Sequence, residues 1–80
     1  MKLWQLPLDV TGDPPQTVSY KGRTRSVSRV IDRWHALGRW WHQEPPRDYY
    51  LLELTGGTVI EVYTAQYPEG QRWMLSRTFD

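Results

Sequence analysis

The chain has 80 residues, ten basic and nine acidic side chains for a net charge of +1, and no cysteine. A chain of this length makes one domain spanning residues 1–80, burying only about 60% of the surface its unfolded form exposes, so its core must be efficient. Disulfides, thiolate metal sites and thiol nucleophiles are excluded, and no apolar run reaches the roughly 20 residues that span a bilayer. The amino terminus lacks the charged-then-apolar layout of a signal peptide, so the expected location is cytoplasmic, with no membrane partner. With 39% hydrophobic and 24% charged residues the composition is that of a globular protein. Five Trp, five Tyr and one Phe supply the bulk that aliphatic residues do not.

Turn signals fall at Thr11-Gly12-Asp13-Pro14-Pro15, Lys21-Gly22, Ala36-Leu37-Gly38, Glu44-Pro45-Pro46, Thr55-Gly56-Gly57 and Tyr67-Pro68-Glu69-Gly70. A spacing of roughly ten residues suits short strands rather than long helices. The first strand places Trp4, Leu6, Leu8 and Val10 on one face, and Pro7, lacking a donor, marks it as an edge strand or one that starts late. Thr17 to Tyr20 alternates with Val18 and Tyr20 inward, then turns at Lys21-Gly22 into a segment whose Arg23 and Arg25 are expected to point outward. Val27, Val30, Ile31, Trp34 and Leu37 recur at helical spacing, with Ser26 and Gly38 as caps. The same residues are rich in β-branching, so 27–37 is either one short helix, the favoured reading, or a bulged strand.

The Gly56-Gly57 hairpin is more informative. A three-residue loop of Thr55, Gly56 and Gly57 pairs Leu54 with Thr58, Leu52 with Ile60 and Tyr50 with Val62. That register gathers Tyr50, Leu52, Leu54, Ile60 and Val62 on one face and leaves Tyr49, Glu53, Glu61 and Tyr63 on the other. Because a one-residue slip inverts every side chain, the buried face selects this odd loop, with Gly57 in the left-handed region. The last strand then turns Trp73, Leu75 and Phe79 inward, and Trp34 and Trp73 are both assigned to the core. The expected fold is mainly β: a small antiparallel barrel or roll, of SH3-like size, with five to six short strands and the 27–37 helix as its one helical candidate.

Catalytic constellations are missing from the sequence. Ser19, Ser26, Ser28 and Ser76 sit in no elbow-like glycine context, and the acids scatter through turns and strand exteriors. Gly56-Gly57 is a hairpin turn without the lysine and helix of a phosphate loop. His35 and His42, with Asp32 or Glu44 nearby, match no tight metal-ligand spacing. No enzyme, metal or small-molecule cofactor is therefore expected.

The charge, by contrast, is segregated. From Lys21 to Arg47 seven basic residues face two acids, a net of +5, while the remainder carries −4. Aromatic residues interleave with these arginines in Arg33-Trp34, Arg39-Trp40-Trp41-His42, Arg47-Asp48-Tyr49-Tyr50 and Arg72-Trp73. Surfaces that bind single-stranded nucleic acid combine a positive groove with rings on which bases stack. In an extended segment Trp40 and Trp41 point to opposite faces, which exposes one of them beside Arg39. Arg23, Arg25, Arg29, Arg33, Arg39, Arg47, Trp40 and Trp41 are the candidate binding residues. The expected role is a non-catalytic nucleic-acid-binding module. A protein–protein adaptor using the same aromatic and arginine surface is the alternative, because Trp, Tyr and Arg also dominate binding hot spots.

The ordered set Tyr20-Lys21-Gly22-Arg23, Val30-Ile31-Asp32-Arg33-Trp34, Arg39-Trp40-Trp41, Arg47-Asp48-Tyr49-Tyr50 and Arg72-Trp73-Met74-Leu75 resembles a small bacterial domain-of-unknown-function family. That family occurs alone and, in similar form, at the carboxyl end of the inactive Y-family-polymerase-like subunit of a mutagenic repair assembly, the mutasome. The resemblance runs from about Val18 to Phe79. It implies a non-catalytic module in a DNA-repair context. The chain has no polymerase-like sequence, and the family offers no catalytic residues to carry over.

Overall fold

Five of the six turn signals begin where a described strand ends, and Glu44-Pro45-Pro46 precedes one. The computed structural model describes residues 2–37 and 45–79, with the backbone alone for residues 2–5. Seven strands occur among the described residues: β1 (Lys2–Pro7), β2 (Asp9–Thr11), β3 (Thr17–Tyr20), β4 (Arg23–Ala36), β5 (Arg47–Leu54), β6 (Val59–Tyr67) and β7 (Gly70–Phe79). The sequence reading of five to six is thus low, because Leu8 divides the first strand in two. Lys21 and Gly22, with φ of 52° and 75°, form a two-residue turn of the kind whose twist matches a hairpin.

The strands form one antiparallel sheet in the order β1-β7-β6-β5-β4-β3-β2. Its two terminal strands are consecutive in the chain and separated by Leu8 alone, so the ends of the sheet meet in a nearly closed barrel. The Leu8 N–H donates to the Trp73 carbonyl (3.2 Å) at this seam. Pro7 ends β1, the terminal strand of the order, where its missing donor breaks no second ladder. β4 turns the barrel's corner: Arg23–Ser26 pair with β3, and Val27–Ala36 pair with β5.

The β5–β6 hairpin has the register that the buried face selects. Leu52 opposes Ile60 and Tyr50 opposes Val62, and the Leu54 N–H donates to the Thr58 carbonyl (2.7 Å). Gly57 sits at φ 93°, a conformation that costs a side-chain-bearing residue about 1–2 kcal/mol. Leu52, Leu54, Ile60, Val62, Leu75 and Val18 are fully buried, with Leu8 and Tyr50 completing the core. Leu6, Val10, Tyr20, Val27, Val30 and Trp73 pack around them.

The helix favoured over 27–37 is absent; the segment is the distal part of β4. Ser28 and Ile31 are skipped in the register with β5, and each such bulge adds one residue to the ordinary two-residue repeat. Val27, Val30 and Arg33 therefore stand opposite Leu54, Leu52 and Tyr50 at a spacing of three, which imitates a helical stripe. Trp34 falls on the outer face opposite Tyr49 and is 40% exposed, so it is not core. Ile31 and Leu37 are exposed as well.

A similar slip corrects the end of β7. Ser76 is skipped between the Leu75–Val62 and Arg77–Glu61 pairs, which turns Thr78 inward and leaves Phe79 exposed. Arg23 and Arg25 were expected outside, yet they oppose Tyr20 and Val18 on the core side of the sheet, at one end of the barrel.

Candidate functional site

The outer face of the four-stranded part of the sheet, β4 to β7, carries an aromatic cluster. Cross-strand pairing sets Trp34, Tyr49, Tyr63 and Met74 in one row. The Trp34 and Tyr49 rings stack with centroids 5.3 Å apart and planes 1° from parallel. Tyr49 meets Tyr63 at 5.3 Å in a tilted contact. The Arg47 guanidinium lies 4.3 Å from the Tyr63 ring centroid, and its Nη1 donates to the Tyr49 hydroxyl (3.2 Å). That bond holds the Arg47 pKa above its ordinary value, against the opposing effect of burial. Burial raises the pKa of the Tyr63 hydroxyl, with Arg47 pulling the other way. The result is a fixed cation set against rings, with one large ring, Trp34, turned toward solvent.

The structure does not gather the candidate arginines into one patch. Arg29 is paired with Glu53 (2.8 Å) on the outer face, apart from the cluster. Arg25 donates to the Thr58 hydroxyl (3.2 Å) and Arg23 is exposed, both at the opposite end of β4 from Arg33. Arg33 lies eight positions beyond Arg25, past the corner and both bulges of β4. Arg33 is on the inner face, its guanidinium 5.3 Å from the Tyr50 ring. Arg39, Trp40 and Trp41 lie outside the described residues. Arg47 alone of the described candidates contacts the aromatic row.

Trp34, Tyr49, Tyr63 and Met74 were missing from the candidate list. The outward pairing of Tyr49 with Tyr63 follows from the hairpin register, which the sequence supports. What brings Trp34 beside them is the pair of bulges in β4, for which periodicity gives no separate signal.

On the inner face, Arg33, Asp48, Tyr50, Thr64, Gln71 and Trp73 line a cleft of about 360 Å³ at the barrel mouth. His35 Nδ1 and Asp48 Oδ1 are 2.8 Å apart at its margin, an arrangement that orients the imidazole. The Thr64 hydroxyl in the same cleft donates to the Arg72 carbonyl (2.9 Å). Among the described residues no group of three His, Asp or Glu is placed to hold a metal ion, and no helix is long and apolar enough to cross a membrane.

No curated protein and no solved structure matches the chain. A family model does match, over residues 7–80 and so across every strand from β2 to β7, and the chain belongs to that family, DUF6504, a domain of unknown function.

Proposed function

We propose that this protein is a non-catalytic module that binds nucleic acid on the outer face of β4 and β5, with Trp34 as stacking platform and Arg47 as neighbouring cation. The observation that carries this reading is the parallel Trp34–Tyr49 stack, 40% of Trp34 remaining exposed, beside a guanidinium fixed over Tyr63. Rings offer every base a π-face, and arginine adds phosphate attraction without sequence preference. The segment joining β4 to β5 contributes Arg39, Trp40 and Trp41 to the same stretch of sequence. The sequence resemblance to the carboxyl-terminal segment of a mutasome subunit supports a DNA-repair setting.

One observation favours a protein-binding adaptor as the second reading. Three of the four exposed large hydrophobics among the described residues, Ile31, Trp34 and Leu37, lie on β4 or just past it. The two readings separate in a pull-down with and without nuclease: a partner retained after nuclease favours the adaptor. For the nucleic-acid reading, Trp34→Ala weakens anisotropy-detected binding about 5- to 150-fold, the equivalent of 1–3 kcal/mol of stacking. Unchanged affinity in that variant refutes the reading.

A further inference from the structure

The inner face at the barrel mouth is polar, where a small barrel is ordinarily filled with apolar side chains. Cross-strand pairing sets His35, Asp48, Thr64 and Trp73 in one row above the core, and Arg33, opposite Tyr50, lies diagonal to Asp48 on the same face. Diagonal neighbours of this kind stand about 7–8 Å apart. Among the described residues no ion pair joins Arg33 to Asp48. The Arg33 guanidinium sits 5.3 Å from the Tyr50 ring instead, and Asp48 Oδ1 accepts from His35 Nδ1 (2.8 Å). A donor fork and a carboxylate thus share the exposed rim of one cleft, each oriented by a third side chain and neither neutralised by the other. Tyr50 and Thr64, both buried, close its floor.

We infer that this cleft is a guanine-binding site, on the opposite face from the Trp34 surface and not dependent on it. Guanine presents the acceptors O6 and N7, which a guanidinium fork matches, and beside them the N1–H and 2-amino donors, which a carboxylate accepts. Adenine and cytosine offer a single amino group and uracil a single imide N–H, so each leaves the carboxylate with fewer partners. Trp73, its ring 5.5 Å from that of Tyr50, supplies the wall on which the base stacks. The cleft volume of about 360 Å³ lies within the range of small-ligand sites. With Asp13 also lining it, the cleft carries more carboxylate than guanidinium, which favours a base with donors over a bare phosphate. Watson–Crick pairing occupies the same donors, so the guanine is an unpaired one, either in a single strand or in a free nucleotide.

The test is a titration of the isotope-labelled, intact protein with GMP, IMP and AMP, followed by amide NMR. GMP should shift the Arg33, Asp48 and Gln71 amides saturably. IMP, which lacks only the 2-amino group, should bind about 10- to 100-fold more weakly, the effect of one hydrogen bond to a charged acceptor. The phosphate is common to all three ligands and cancels. Asp48→Ala should bring GMP and IMP to equal affinity, which a merely structural role of Asp48 does not produce. A short oligothymidylate carrying one guanine identifies the source: binding tighter than that of GMP, with the gain lost in Trp34→Ala, assigns the site to a strand that reaches both faces, and equal binding assigns it to the free nucleotide. No shift with about 10 mM GMP, equal affinities for GMP, IMP and AMP, or a GMP-to-IMP ratio unchanged in Asp48→Ala would overturn the proposal. Oligothymidylate binding that depends on Trp34 would in that case still support the function proposed above.

Discussion

Leu52 and Trp34 sit on opposite sides of the sheet, and replacing each with alanine tests that assignment quantitatively. Leu52 is fully buried, and Leu54, Ile60 and Val62 around it are equally inaccessible, so the site has little freedom to collapse. Leu52→Ala should therefore cost about 3–4 kcal/mol, well inside the range for buried leucines. An 80-residue domain has only about 4–12 kcal/mol in total. The melting temperature should fall by about 15–25 °C, if the variant folds at all at room temperature. Trp34→Ala removes a much larger ring, but one that is 40% exposed and stacked on Tyr49 alone among the described rings. The stack contributes about 0.5–1.5 kcal/mol, and the total loss should stay below about 2 kcal/mol. Urea denaturation followed by circular dichroism measures both. If Trp34→Ala costs as much as Leu52→Ala, Trp34 is a core residue and the bulged register of β4 is wrong.

Other consequences follow from individual contacts. Gly57→Ala should destabilise by about 1–2 kcal/mol in the same melts, since alanine must adopt φ near 93° there. Arg77→Met leaves the 7%-exposed Glu61 without its 3.1 Å partner and should cost about 2–3 kcal/mol, much of it recovered in Glu61→Gln/Arg77→Met. The Tyr63 pKa is raised in the folded state, so its contribution is complete below the ordinary value of 10.0 and is lost as pH rises through the folded value. Tyr63→Phe should accordingly flatten the loss of stability above about pH 10, measured by melts at each pH.

The β5–β6 hairpin was fully legible because two constraints agreed: five apolar side chains needed one face, and two glycines supplied the positive φ of an odd loop. β4 was not legible, for a physical reason. Its bulges at Ser28 and Ile31 stretch the strand's repeat from two to three, close enough to 3.6 that the apolar spacing mimics a helix. The same shift moved Trp34 out of the expected core and into the aromatic row. The Ser76 slip in β7 likewise exchanged Phe79 for Thr78. The charge asymmetry was legible as arithmetic but not as a surface, since strand pairing distributes Arg25, Arg29 and Arg33 over both faces and both ends of β4. Only Arg47 could be joined to its rings, and only once the neighbour of β5 was known.

The most direct measurement of the central claim is the affinity of the wild-type protein for a labelled single-stranded oligonucleotide at about 50 and 200 mM salt. The account predicts binding that weakens with salt, quenches tryptophan emission and is lost with Trp34→Ala. No binding at the lower salt, where phosphate attraction is strongest, would contradict it and leave the Trp34–Tyr49–Arg47 surface to a protein partner.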